Sequence, residues 1–111
     1  MGTILINRKD LTSWDYLHDH FSVLFGFPAW YGRNKDAWID CMTFLDQKDE
    51  NRASYNLAPE SLILIEIFDV SDLDPAHYEV FRSLVDCASS VNYRRIELGL
   101  KPFLLLSYYN N

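Results

Sequence analysis

The chain has little of what most enzymes are built from. It holds two cysteines, Cys41 and Cys87, and three histidines, His18, His20 and His77. The cysteines are too few and too far apart for a structural zinc site, and no histidine pairs evidently with a cysteine as a nucleophile. His18 and His20 lie two apart on a predicted helix, so they point away from each other and read as surface residues rather than metal ligands. With four glycines there is no P-loop and no glycine-rich dinucleotide fingerprint, and H-E-x-x-H is absent. No catalytic residue, cofactor or metal is expected. Basic residues are also scarce. Ten Lys and Arg against sixteen Asp and Glu leave a net charge of −6 and a pI of about 4.8. Direct nucleic-acid binding needs cations to neutralise phosphate, so the balance excludes it and favours a basic partner. No apolar run approaches the ~20 residues of a membrane helix, so no membrane is expected. Met1 to Ile6 is too short for the core of a signal peptide, and Asn7, Arg8, Lys9 and Asp10 follow at once. The expectation is a cytoplasmic protein with both cysteines reduced in its core, although spacing leaves a disulfide between them open.

What is present is an ordinary globular composition, 49% hydrophobic and 23% charged. A chain of 111 residues suits one domain, here 1–111, and a chain of this size buries roughly two-thirds of its unfolded surface.

The elements follow from periodicity. Thr3 to Ile6 is a short apolar strand, and Asn7 to Asp10 a polar turn. Thr12 to Asp15 fits a capping box. Trp14, Leu17, Phe21, Leu24 and Phe25 then recur at helical spacing and stop at Gly26. Asp46 to Ser61 is polar and reads as a long surface loop, either simply solvated or reaching a partner. Leu62 to Phe68, LILIEIF, is nearly continuous in apolar residues, as in a strand buried on both faces, with Glu66 where it emerges. Asp74-Pro75 opens a long helix. Its stripe is Phe81, Leu84, Val85, Ala88 and Val91, with a break allowed near Ser89-Ser90 and a stop at Gly99. Pro102 opens a last strand, Phe103 to Tyr108. The fold class is α/β: a three-stranded parallel sheet packed with helices, in the order β-α-α-β-α-β, with right-handed crossovers.

The most informative stretch is Phe27 to Leu45, FPAWYGRNKDAWIDCMTFL. Pro28 fixes φ, and Gly32 permits a sharp bend just after Trp30 and Tyr31. Asn34 is a good N-cap for a helix running to about Leu45. At ~100° per residue, Ala37, Trp38, Cys41, Met42, Phe44 and Leu45 form an apolar arc. Lys35, Asp36, Ile39, Asp40 and Thr43 face outward. Asp36 suits the helix dipole. Asp40 does not, and two like charges at i,i+4 cost a few tenths of a kcal/mol. The face is either a solvated acidic surface with one exposed Ile, or an acidic plug for a basic cleft. As a catalytic carboxylate pair it fails, because successive exposed turns of one helix make no cleft.

The pattern of an aromatic pair, then YG-x-N, then D-A-x-x-D-C, carried by Trp30, Tyr31, Gly32, Asn34, Asp36, Ala37, Asp40 and Cys41, resembles the barstar family of ribonuclease inhibitors. The resemblance implies a parallel sheet covered by helices and a protein that is not an enzyme. It implies an intracellular inhibitor, or immunity protein, that plugs the active site of a basic microbial ribonuclease, barnase-like or a toxin domain, as a 1:1 complex. Carboxylates would take the places of phosphates. The alternative is a barstar-like module for another basic protein. The implied partner-binding residues are Trp30, Tyr31, Gly32, Asn34, Asp36, Ile39, Asp40 and Thr43. Tyr31 is equally readable as a core wedge that fixes the loop. Two departures stand out. Ile39 occupies a position where the best-known member has a Trp, and Ser83 falls where the family has a further acid. Whether Asp86 substitutes for that acid is open.

Overall fold

Three six-residue strands build the centre of the molecule: β1, Gly2–Asn7, β2, Ile63–Phe68, and β3, Leu104–Tyr109. The computed structural model describes residues 2–47, 61–71 and 73–110. The surface loop expected from Asp46 to Ser61 lies for the most part outside the described residues. The strands form one parallel sheet in the order β1-β2-β3, in which Ile4 is level with Ile65 and Ile65 with Leu106. Between them run α1, Trp14–Phe25, α2, Lys35–Thr43, and α3, Pro75–Glu97. The order is the expected β-α-α-β-α-β. Among the described residues no helix is long and apolar enough to cross a membrane.

Strand burial differs from the expectation for β2. Ile63, Ile65 and Ile67 are fully buried, whereas Leu64, Glu66 and Phe68 are only half-buried. Period-two alternation, not burial on both faces, describes the strand. Glu66 sits mid-strand, level with Leu5 and Ser107, and accepts the Tyr109 hydroxyl at 3.0 Å. Leu5 and Leu105 are exposed.

Helix ends follow local chemistry. The cap of α1 is Ser13, one residue later than the capping box predicts, and its hydroxyl accepts the Asp15 N–H. Gly26 ends the helix at φ 62°, a left-handed position that suits glycine. Leu17, Phe21 and Phe25 face the core and Leu24 does not. The carboxylate of Asp74 caps α3 by accepting the His77 N–H at 2.8 Å, with Pro75 at the first helical position. The helix passes unbroken through Ser89 and Ser90, whose hydroxyl returns to the Asp86 carbonyl at 3.1 Å. Val80 and Cys87 join its buried stripe, while Phe81 and Val85 are half-buried. Cys41 and Cys87 are both buried and form no disulfide with each other.

The last turn of α3 is tied down by two polar side chains. Asn92 behaves like an extra backbone unit beside β3. Its carbonyl oxygen accepts the N–H groups of Phe103 and Leu104 at 3.1 and 3.0 Å, and its amide donates to the Leu104 carbonyl at 2.9 Å. Arg95 is 3% exposed. It grips Asp46 through two bonds of 2.8 Å and donates to the Thr43 carbonyl at 2.8 Å and the Lys101 carbonyl at 2.6 Å. Its guanidinium lies 3.8 Å from the Phe103 ring centroid. A buried charge requires this degree of satisfaction.

Removing either partner of that pair leaves the other buried and uncompensated. Arg95→Ala or Asp46→Ala should each cost ~3–5 kcal/mol in urea unfolding at neutral pH. The Arg95 hydrogen bonds hold the Asp46 carboxyl below the ordinary value of 3.8. Its contribution is therefore complete above that pH and is lost as pH falls through the lower folded-state value. The stability of Asp46→Asn should fall less steeply in acid than that of the natural chain. Parallel acid limbs would show that the pair does not carry this dependence.

Candidate functional site

The segment between α1 and α2 reverses direction through a turn, in which the Tyr31 N–H donates to the Pro28 carbonyl at 2.9 Å. The left-handed residue is not Gly32 but Arg33, at φ 51°. At Gly32 the constraint is close approach rather than backbone angle. A Cβ there would come within 3.1 Å of the Asn34 side-chain nitrogen, closer than side chains ordinarily pack. Arg33 is held in its conformation from outside, because its guanidinium reaches Asp19 at 2.7 Å and Asp15 at 3.7 Å on α1. Asn34 then caps α2, its side-chain oxygen accepting the Ala37 N–H at 2.8 Å.

Aromatic contacts anchor this segment to the core. Phe27 meets Tyr31 with ring centroids 4.8 Å apart, Tyr31 meets His18 at 5.5 Å, and His18 meets Trp14 at 5.3 Å. Trp14 continues to Trp38, Trp38 to Phe21, Phe21 to Phe25, and Phe25 back to Phe27. The contacts close into a ring that joins α1, the loop and α2. His18 is 3% exposed rather than on the surface, and its Nδ1 lies 2.5 Å from the Tyr31 hydroxyl. Burial, reinforced by the Arg33 charge, pushes the His18 pKa down, and burial pushes the Tyr31 pKa far up. Both groups are neutral near pH 7, and one hydrogen joins them. The signal for His18 was present in spacing: Trp14, His18, Phe21 and Phe25 share one helical face.

Of the loop aromatics, Trp30 is 60% exposed and Tyr31 is half-buried against the core. On α2, Trp38, Cys41 and Met42 are buried, so the helix cannot roll. Ala37 and Phe44 are half-buried members of the expected arc. Lys35 and Asp36 are exposed and Asp40 is half-exposed. Asp40 is not a bare acid: Arg94 of α3 lies 3.6 Å away. Ile39 is half-buried and packs against the core, rather than standing out alone. It lines an open groove between α2 and α3 with Asp36, Ser89, Ser90, Tyr93 and Arg94.

Thr43 is misplaced by the helical wheel. It is fully buried. Its hydroxyl donates to the Ile39 carbonyl at 2.6 Å, and its own carbonyl accepts from Arg95. The C-terminal ends of α2 and α3 converge there, so a position outward on an isolated helix is covered by a neighbour. Ser83 also has internal work: its hydroxyl oxygen accepts the Trp14 indole N–H at 3.0 Å. Asp86 is exposed on α3. Arg33, Arg94 and Tyr93 carry no local signal, because each matters only through an element distant in sequence. Among the described residues no group of three or more His, Cys, Asp or Glu is arranged to hold a metal ion.

Comparison with known proteins finds a family and a curated relative. Residues 1–104 match the family described as "Barstar (barnase inhibitor)". A protein of Bacillus subtilis (strain 168) named "Putative ribonuclease inhibitor YrdF" is 42% identical over 43 residues, which is 39% of this chain and 47% of the relative. The chain thus spans about half the length of the curated relative that it matches.

The closed aromatic ring makes Tyr31 a test of how the loop is held. Tyr31→Phe keeps the ring contacts but leaves a buried His18 nitrogen without its partner. It should cost ~1–3 kcal/mol in denaturant unfolding. Unchanged stability would mean that the hydroxyl bond does not fix the loop.

Proposed function

The chain belongs to the barstar family, a family of inhibitors rather than enzymes, and we propose on that premise that it inhibits a basic ribonuclease. It acts inside the cell as an immunity protein, in a 1:1 complex, with α2 and the preceding loop seated in the nuclease active site. One observation carries the reading. Asp36 and Asp40 stand on successive turns of a helix whose opposite face, Trp38, Cys41 and Met42, is buried. Two carboxylates at a fixed separation suit a cleft that binds successive phosphates. At an effective dielectric near 20, each cation met at ~4 Å contributes roughly 4 kcal/mol of Coulomb energy before desolvation is subtracted. Trp30, exposed on the loop that leads into α2, is a low-entropy anchor for the rim of the contact. Tyr31, Gly32 and Asn34 serve by shaping the loop. Thr43 leaves the proposed contact set, because its side chain is buried.

The primary experiment is a titration of barnase, and of any basic ribonuclease encoded beside this chain, with and without a substrate analogue. Inhibition should be stoichiometric and competitive, and association should slow as salt rises. Inhibitor and analogue bound together without mutual loss would end the plug reading.

Asp40→Ala separates binding from folding. The side chain is 41% exposed and its ion pair with Arg94 is long. Stability should therefore change by no more than ~0.5 kcal/mol, while binding to the nuclease falls by ~2–5 kcal/mol. A variant that unfolds, or one that binds undiminished, would overturn this assignment.

Specificity rests on Ile39 and Ser83. Barnase would lose an aromatic contact at the first and a counter-charge at the second. Each loss costs ~1–3 kcal/mol, or roughly ten- to a hundredfold in affinity. The natural chain should inhibit barnase more weakly than its cognate enzyme. The double change Ile39→Trp with Ser83→Glu should improve inhibition of barnase and weaken that of the cognate enzyme. Equal affinity of the natural chain for both nucleases would remove these positions from specificity.

A further inference from the structure

We propose that Arg94 is an internal counter-ion that occupies Asp40 in the free protein and must release it to a partner's cation, which makes it a determinant of affinity and specificity. The inference rests on the inhibitor reading above. Asp36 and Asp40 are like charges one helical turn apart, and α2 has no cation between them on its own surface. The neutralising charge comes from α3: the Arg94 guanidinium lies 3.6 Å from the Asp40 carboxylate, and the two side chains are each 41% exposed. This distance is that of an ion pair without a tight hydrogen bond, and both groups stay wet. Such a pair is easily exchanged.

Arg94 also has somewhere to go. Its guanidinium carbon is 5.9 Å from the centroid of the Phe44 ring, within the range of a cation–π contact. It borders the groove formed with Ile39, Ser89, Ser90 and Tyr93. A partner cation that takes Asp40 displaces Arg94 toward that ring and groove. A partner that offers only cations there meets Arg94 as a like charge. One that adds a hydrogen-bond acceptor opposite the groove accommodates it. The acid face is therefore selective for a cleft of mixed charge rather than for any basic surface.

The test uses the full chain and barnase as the probe. Arg94→Gln keeps an unbranched polar side chain of similar helix propensity, though a shorter one, and removes its charge. It should inhibit barnase roughly three- to tenfold more tightly, with faster association at low salt. The same change in an Asp40→Asn background should give no gain. Independently of any partner, Asp40→Asn should shift the thermal midpoint differently in the natural and the Arg94→Gln chains. Arg94→Gln that inhibits no better than the natural chain, or midpoint shifts that simply add, would overturn the counter-ion role. Inhibition of barnase that survives Asp40→Asn undiminished would instead overturn the plug reading itself.

Discussion

The Arg95 guanidinium is the constraint on which the rest of the structure depends. It joins three chain segments distant in sequence: the end of α2 through Thr43 and Asp46, the end of α3, and the entry to β3 through Lys101 and Phe103. Only a planar fork with several donors can serve a carboxylate and two carbonyls at once, so lysine would not replace it. The desolvation cost of the buried charge is offset because every contact is a charge-assisted bond or a ring face. Asn92, one turn earlier, repeats the logic with neutral groups on the first residues of β3. Asn92 ties α3 to β3, and Arg95 ties the end of α2 to both, which bears on the direction in which Asp36 and Asp40 point.

The other end of α2 is set by aromatic contact. The ring running from Trp14 through Trp38, Phe27 and Tyr31 to His18 leaves the loop little freedom. Arg33 holds its left-handed backbone through ion pairs with α1. A binding surface held in place before its partner arrives loses less entropy on association. In this molecule the acids owe that rigidity to residues that need not touch a partner. His18 illustrates the coupling: a buried neutral imidazole on α1 fixes the hydroxyl of a loop aromatic.

Charge is distributed with the same economy. The net charge of −6 favours a basic partner, yet three of the acids on or near the proposed contact already face a cation of this chain. Asp19 and Asp15 meet Arg33, and Asp40 meets Arg94. Exposed pairs of this kind add little stability. In the proposed complex they would bear instead on which cations an incoming surface must bring, and on which of its groups meet a like charge.

Much was legible in the one-dimensional pattern, because it depends on neighbours in sequence. Short apolar runs located three strands to within a residue or two, the Asn34 cap and the Asp74-Pro75 start placed α2 and α3, and the motif from Trp30 to Cys41 pointed to the family. What failed depends on neighbours in space. A helical wheel places Thr43 outward, but α3 covers it. A two-residue spacing sends His18 and His20 apart without saying which faces the core, although His18 shares a helical face with Trp14, Phe21 and Phe25. A continuous apolar run does not reveal that one face of β2 stays only half-buried. Gly32 is crowded by the approach of Asn34, whereas the left-handed angle falls on Arg33, and no local rule assigns an arginine there. By itself the sequence determined the elements, their order and the presence of two acids on one helix face. The tertiary structure alone decided that Arg95 buries its charge between α2 and β3 and that Asp40 already has a counter-ion, because long-range contacts are chosen by packing and charge in three dimensions.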